Sequence, residues 1–283
     1  MRCVTACHDP AVSAEEELTG GNTTVVVRVG DTVRRPAGRW TPAVHGLLHH
    51  LSAAGFAGSP NVLGVDEADR EILEYVPGEV GTLSPPEPLP VWFRSPEACW
   101  AIGRWIREFQ VAQRGLVLDA SKPWRRAPGA SLSPGQVIVH HDVSPYNTVR
   151  RSDGSLVMLD WDFARPGDPI EDLAWAAWRW TPLMAGSSWH AEYGIAANED
   201  VQQHQRRNFA ALLDGYGPSS SQRSLLGDAI SEQMTSHASV LDDMARTDPA
   251  FAALIERGYA RAARDDAHWW RNTTLGKSIS ATL

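Results

Sequence analysis

Five prolines fall between positions 77 and 90 (Pro77, Pro85, Pro86, Pro88 and Pro90), and neither a helix nor an interior strand survives that density. They divide the chain into two parts with different apolar repeats. Before them, the β-rich runs 25–29 and 32–35 flank Gly30-Asp31, a pair suited to a tight hairpin turn. Residues 42–54 carry Val44, Leu47, Leu48 and Leu51 at helical spacing with Gly55 beyond, and 62–65 and 72–76 return to strand character. After the prolines the pattern is mainly helical. Ser95-Pro96 starts a helix whose stripe is Ile102, Trp105, Ile106 and Phe109 and which Gly115 closes. Asp168, Pro169 and Glu171 stand as N-cap, first position and capping-box acid of another, and Asp248-Pro249 opens a third. The expectation is an α+β chain of two lobes: residues 1–78 form a small antiparallel sheet with one helix, and residues 79–283 form a larger helical lobe.

Within the second lobe, residues 137–164 concentrate side chains that do chemistry. A β-rich run leads into His140-His141-Asp142. Asn147, a strand, Ser152-Asp153-Gly154-Ser155, another strand and Asp160-Trp161-Asp162 follow. If Asp153-Gly154 is a two-residue turn, Ser152 pairs with Ser155, and continuing that ladder sets Asn147 opposite Asp160, roughly 5 Å apart at Cβ. A carboxamide oxygen and a carboxylate so placed are hard ligands that suit magnesium. Asp142, five residues before Asn147 on a Pro145-containing loop, would face the same place as a base. A lone Asp-Gly turn is only a hairpin, and a lone Asp beside it only a cap; the combination of Asp142, Asn147 and Asp160 is what points to chemistry.

Composition narrows the partners. The formal charge of -8 opposes nucleic-acid binding, which rests on clustered Lys and Arg. Three cysteines, Cys3, Cys7 and Cys99, make no disulfide framework for 283 residues and suit a reducing compartment. Cys3, Cys7 and His8 are read as a frayed tail before a metal site. No basic start followed by an apolar stretch opens the sequence, and no apolar window reaches membrane-spanning length. A soluble cytoplasmic chain with no membrane and no nucleic-acid partner is expected.

The pattern His140-x-Asp142-x-x-x-x-Asn147 followed by Leu159-Asp160-Trp161-Asp162 resembles the aminoglycoside phosphotransferase family of protein-kinase-like enzymes. The likeness extends to Leu18-Thr19-Gly20-Gly21-Asn22-Thr23, which is similar to the family's nucleotide loop, and to Glu74-Tyr75-Val76-Pro77-Gly78, which is similar to its interlobe hinge. The resemblance implies a protein-kinase-like two-lobe fold that moves the γ-phosphate of ATP or GTP, with Mg2+, to a small-molecule hydroxyl acceptor. By it, Asp142 accepts or orients the acceptor proton, His140 braces the catalytic loop, Asn147 and Asp160 hold the metal, and Asp162 assists. Gly20, Gly21, Glu74 and Val76 belong to the nucleotide site. Asp172 braces the catalytic loop or is simply a first-turn helix acid. The family's third-strand cation falls to Arg35, with Val33 on its face toward adenine and Arg34 as second choice. The helix 42–54 lacks the acid that usually pairs with that cation; His45 stands about there.

The resemblance leaves the acceptor open. A polycationic aminoglycoside leads, and Glu192, Glu199, Asp200, Asp214, Asp228, Glu232, Asp242 and Asp243 are the acids that could meet it. Choline, homoserine, macrolide and nucleoside-antibiotic kinases share the scaffold. Two other classes compete: a nucleotide-binding pseudokinase acting as a sensor or immunity protein, and a metal-dependent hydrolase using His140, His141, Asp142 and Asp160. Consecutive histidines on a strand face opposite ways, which counts against the hydrolase.

Overall fold

The computed structural model describes residues 15–18, 25–81, 87–127, 131–196 and 200–277. Strands β1 (Glu16–Glu17), β2 (Val27–Val29), β3 (Thr32–Pro36), β4 (Val62–Val65) and β5 (Arg70–Glu74) make one antiparallel sheet in the order β1-β2-β3-β5-β4. Val29 pairs with Thr32, so Gly30-Asp31 is the expected two-residue turn. Helix α1 (Thr41–Ala53) buries Val44, Leu47, Leu48 and Leu51, the stripe read from the sequence. Its N-terminus begins with Pro42 inside the first turn, where a missing N–H costs nothing.

Gly78 separates residues that belong to different sheets. β5 ends in the five-stranded sheet, whereas β6 (Glu79–Val80) joins β8 (Thr148–Arg150) and β9 (Leu156–Met158) in the order β6-β8-β9. Val76 closes a small apolar cluster with Val149 and Val157. The connector is therefore packed onto the hairpin that carries the chemistry.

The larger lobe is built on α2 (Pro96–Ala112), whose Ser95 side chain caps it by accepting the Ala98 N–H. Ile102, Ile106 and Phe109 are fully buried, as the periodicity predicts. β7 (Val137–Val139) pairs with β10 (Arg165–Gly167). Then come α3 (Ile170–Trp180), α4 (Val201–Tyr216), α5 (Ser220–Ala245), α6 (Pro249–Glu256) and α7 (Tyr259–Asn272). Helices α2 and α4 approach so closely that a Cβ on Gly103 would strike the Leu212 carbonyl, and one on Gly215 the Trp100 carbonyl. Asp248 caps α6 as expected. At α3 the Glu171 carboxylate accepts the Asp168 N–H and Asp168 accepts the Ile170 N–H, the expected reciprocal cap. Trp175, Trp178 and Trp180 are core residues. No helix among the described residues is long and apolar enough to cross a membrane.

The chemistry-bearing hairpin departs from the derived register. Thr148 pairs with Met158 and Arg150 with Leu156, one step from the expected ladder. The Arg151 N–H reaches the Ser155 carbonyl and the Gly154 N–H reaches the Arg151 carbonyl, so the loop has three residues. Gly154 at φ 84° supplies the left-handed position that ends such a loop. Asn147 accordingly stands opposite Leu159, whose N–H it accepts at 2.7 Å, and not opposite Asp160.

Candidate active site

Asp160 reaches the site by backbone conformation instead of by pairing. It adopts φ 56° and ψ 72°, a left-handed geometry costing an Asp on the order of 1 kcal/mol or more. The surroundings over-determine it. The His140 ring bonds the Leu159 carbonyl at 2.9 Å, and the Trp161 indole N–H donates to the Met158 carbonyl at 2.9 Å. Trp161 also packs edge-on to His140, with ring centres 4.5 Å apart. The turn sends the Asp160 carboxylate outward, 43% exposed, and starts the 3₁₀ helix Trp161–Phe163 that carries Asp162.

His140 works as a brace. Its Nδ1 accepts the Asp142 N–H at 3.2 Å, so its Nε2 holds the proton donated to Leu159. Burial lowers its pKa to about 4, which keeps the ring neutral in that tautomer. Asp172 on α3 accepts the His140 and His141 N–H groups at 2.9 and 2.8 Å, so it braces this loop and is not merely a first-turn acid. Burial pushes its carboxyl up to about 7 despite those bonds. Both ring nitrogens of His140 are engaged and His141 turns toward Glu171 at 3.8 Å, so the four-residue ligand set of a hydrolase is not assembled.

Asp142 sits at the centre of this loop. One carboxylate oxygen accepts from the Ser144 hydroxyl at 2.7 Å and the Tyr146 hydroxyl at 3.1 Å; the other accepts from the Asn147 amide at 2.8 Å. Burial raises its pKa and the Ser144 bond only partly offsets this, which makes it a stronger base than an exposed Asp. Because the Asn147 nitrogen is spent on Asp142, its amide oxygen is turned away from that contact. Asn147 and Asp160 therefore remain a fitting pair of hard oxygen donors for magnesium, although they are not cross-strand partners. Among the described residues, no group of three or more His, Cys, Asp or Glu side chains has metal-holding geometry.

Arg35 joins the two lobes' chemistry. From β3 it reaches Asp160 at 3.0 Å and Asp162 at 2.7 Å, and its Nε donates to Glu71. Burial works against its charge, yet Asp162, Asp160 and Glu71 outweigh it and raise its pKa. Glu71 is the acid that the sequence did not reveal. It lies directly across from Arg35 on β5, 2% exposed, and its second oxygen bonds His45 at 2.9 Å. The partner expected on α1 is thus supplied by the sheet, with His45 of α1 bonded to it. Burial raises the Glu71 carboxyl, but the His45 and Arg35 contacts prevail and leave it below the ordinary range. Asp162 also meets Arg125 at 3.4 Å, a cation stacked over Trp40 at 4.4 Å and Phe163 at 4.7 Å.

The other expected nucleotide residues divide. Arg34 lies on the opposite side of β3, 3.6 Å from Asp66, away from the carboxylates. The Glu74 carboxylate is held by Asn61 at 2.7 Å and Arg151 at 3.4 Å, so its side chain fixes the end of β5. Val76 is buried against the hairpin. Gly20 and Gly21 lie outside the described residues. The expected outcome for the strand is asymmetric: Arg35→Ala weakens magnesium-nucleotide binding by roughly tenfold or more, and Arg34→Ala by about twofold or less. Calorimetric titration of both variants checks this, and the reverse order contradicts the facing of β3.

Three of the eight acids expected at an acceptor face are engaged elsewhere. Asp200 caps α4, Asp242 pairs with Arg264, and Asp243 pairs with Arg246. Asp214, Asp228 and Glu232 are exposed, and Glu199 lies outside the described residues. Near Asp142 stand Tyr146 and Arg179, which sequence reasoning missed, and within electrostatic reach of Arg179 lies Glu192, one of the acids the sequence offered. Tyr146 had one available signal, its place next to Asn147 on the Asp142 loop.

Comparison with known proteins agrees with this geometry. The model of the phosphotransferase enzyme family matches residues 100–207. The trifolitoxin immunity protein of Rhizobium leguminosarum bv. trifolii is 37% identical over 209 residues, covering 73% of this chain and 75% of that protein. A choline/ethanolamine kinase family protein from Mesorhizobium loti superposes with a TM-score of 0.58 at 18% identity, over 95% of this chain and 91% of its own. An amicoumacin kinase bound to AMP-PNP and Ca2+ gives 0.61 at 12% identity, over 89% and 88% of the two chains. A spectinomycin phosphotransferase bound to ADP and spectinomycin gives 0.57 at 11% identity, over 91% and 93%. These likenesses show a protein-kinase-like fold of the small-molecule kinase type, and the chain belongs to the phosphotransferase enzyme family.

Proposed function

We propose that this protein transfers the γ-phosphate of ATP or GTP to a hydroxyl of a small molecule. The observation that supports it most is the bridge from Arg35 and Glu71 of the sheet to Asp160 and Asp162, on the loop that His140 ties to Asp142. The nucleotide would lie between Val33, Val76 and Arg35, with residues 1–78 as its lobe and Gly20 and Gly21 over its phosphates. Asn147 and Asp160, helped by Asp162, would hold magnesium, which when bound neutralises phosphate charge. Asp142 takes the acceptor's proton. Ser144, Tyr146 and Asn147 fix its rotamer and His140 fixes its backbone, so the base is oriented before the acceptor arrives. A nucleoside triphosphate donor puts the reaction in the cytoplasm.

The experiment is phosphate transfer from ATP and GTP with magnesium across aminoglycosides, macrolides, nucleoside antibiotics, choline and homoserine, with Asp142→Ala as the blank. Transfer to one class, absent from the blank, names the acceptor. An aminoglycoside was the leading expectation from sequence; Asp200, Asp242 and Asp243 are engaged elsewhere, and of the acids it named Glu192 stays near the site.

The likeness to an immunity protein favours a second reading, protection of the cell against a toxin. Protection by phosphorylating the toxin is lost in Asp142→Ala; protection by a nucleotide-binding sensor without turnover survives it.

A further inference from the structure

Arg179 ends α3 beside Asp142 and yet belongs to no charged pair. Its Nε is buried without a hydrogen-bond partner, and among the described residues its guanidinium makes no hydrogen bond or ion pair. Arg34, Arg94 and Arg150 also bury an unpaired Nε, but each finds another partner in Asp66, the Tyr193 carbonyl or Glu79, and Arg35, Arg125 and Arg165 each close on a carboxylate. What surrounds Arg179 is aromatic. Its guanidinium carbon lies 5.6 Å from the centre of the Tyr146 ring and 5.4 Å from that of Trp178. Tyr146 in turn donates its hydroxyl to Asp142, so one ring separates the guanidinium from the base. His237 packs edge-on to Trp175 at 5.0 Å and to Trp178 at 5.6 Å, completing an apolar wall.

A cation at a helix C-terminus is favourable in itself, and that accounts for Arg179 being on the last turn of α3. It does not account for burying Nε unpaired, because a desolvated donor costs free energy unless an acceptor arrives. The carboxylates within electrostatic reach, Asp142 and Glu192, do not close on it. Asp142 is already satisfied by three donors. A planar fork with free donors, flanked by ring faces, matches a carboxylate. With Asp142 and Glu192 both within reach, a monoanion is repelled less than a dianionic phosphate, and the free fork of Arg179 is what would hold it.

Resting on the phosphotransferase reading above, we propose that Arg179 is the acceptor-binding residue and that the acceptor carries a carboxylate near the hydroxyl that is phosphorylated. It is then a hydroxy acid or a hydroxyl-bearing amino acid or peptide, not a polycation. The carboxylate docks on Arg179 over Tyr146 and the hydroxyl points at Asp142. The hydroxyl oxygen forms the new bond to the γ-phosphorus as the bond to the β-bridging oxygen breaks. The nucleoside diphosphate leaves and the hydroxyl proton passes to Asp142.

The test uses sodium 3-phenyllactate, whose ring suits the aromatic walls, and its neutral amide, 3-phenyllactamide. Each is titrated by ligand-observed NMR into the full chain, with and without magnesium AMP-PNP. In the native protein the acid binds at least about tenfold tighter than the amide. In Arg179→Gln that ratio falls to about one, and in Arg179→Lys it is partly restored, while magnesium AMP-PNP affinity stays within about twofold in both. Unaltered circular dichroism certifies their fold. Equal binding of acid and amide, a ratio that persists in Arg179→Gln, no detectable binding of the acid, or tighter binding of the cation phenylalaninol each overturns the proposal. Failure of the phosphotransferase reading is seen separately, as absence of phosphate transfer from magnesium ATP or GTP to any acceptor, because acid and amide are also compared without nucleotide.

Discussion

Asp142→Ala lowers phosphate transfer by roughly 10²- to 10⁴-fold and leaves magnesium-nucleotide affinity within about threefold. The separation follows from position. The carboxylate bonds to Ser144, Tyr146 and Asn147 and to none of the residues that Arg35 gathers, so its loss removes the base and costs the donor site only the bond that orients the Asn147 amide. Steady-state turnover and nucleotide titration on the same preparation measure the two quantities. Turnover unchanged by the substitution would remove Asp142 from the mechanism, and a parallel collapse of nucleotide binding would make it a structural residue.

The second large effect belongs to Glu71. This carboxylate is 2% exposed and holds Arg35 with one oxygen and His45 with the other. Removing one partner of a buried charge pair costs about 3–5 kcal/mol. Glu71→Ala should fall near the lower end, about 3 kcal/mol, because Asp160 and Asp162 still neutralise Arg35. Denaturant unfolding reads that loss, and the KM for nucleotide rises with it as Arg35 is released. Glu71→Gln keeps one carbonyl acceptor for Arg35 and loses less. A fully stable Glu71→Ala protein with normal nucleotide KM would mean that Arg35 needs no anchor in the sheet.

Much of this arrangement was legible in the sequence wherever local rules decide. The turn at Gly30-Asp31, the stripe of α1 and the caps at Ser95 and Asp248 depend on residues a few positions apart, and they appear as expected. The hairpin register did not follow, because Asp-Gly closes a two-residue or a three-residue loop, and what distinguishes them is that Asp153 does not take the positive φ a two-residue type I′ turn requires. Asn147 and Asp160 are still proposed for one site, but Asp160 is turned there by a left-handed backbone held by Trp161 and His140, which no spacing rule announces. Glu71 was missed for a related reason. Its pairing with Arg35 crosses α1 and β4 in the chain, and a non-local strand register is not encoded in any short window. The acids of the C-terminal helices show a different limit. Counted by sequence they suggest a cationic partner, but in the fold Asp242 and Asp243 meet arginines of their own surface. Arg179, a cation near the base, sits unremarked in a tryptophan-rich stripe.

The central claim is that Asp160, on its left-handed turn, holds a magnesium nucleotide in the cleft beside Asp142. Calorimetric titration of AMP-PNP with and without magnesium, on the native chain and on Asp160→Ala, tests it most directly. The account predicts binding that strengthens by at least about tenfold with magnesium in the native chain and loses that dependence in Asp160→Ala. Nucleotide affinity indifferent to magnesium in the native chain, or a magnesium effect undiminished in Asp160→Ala, would contradict it.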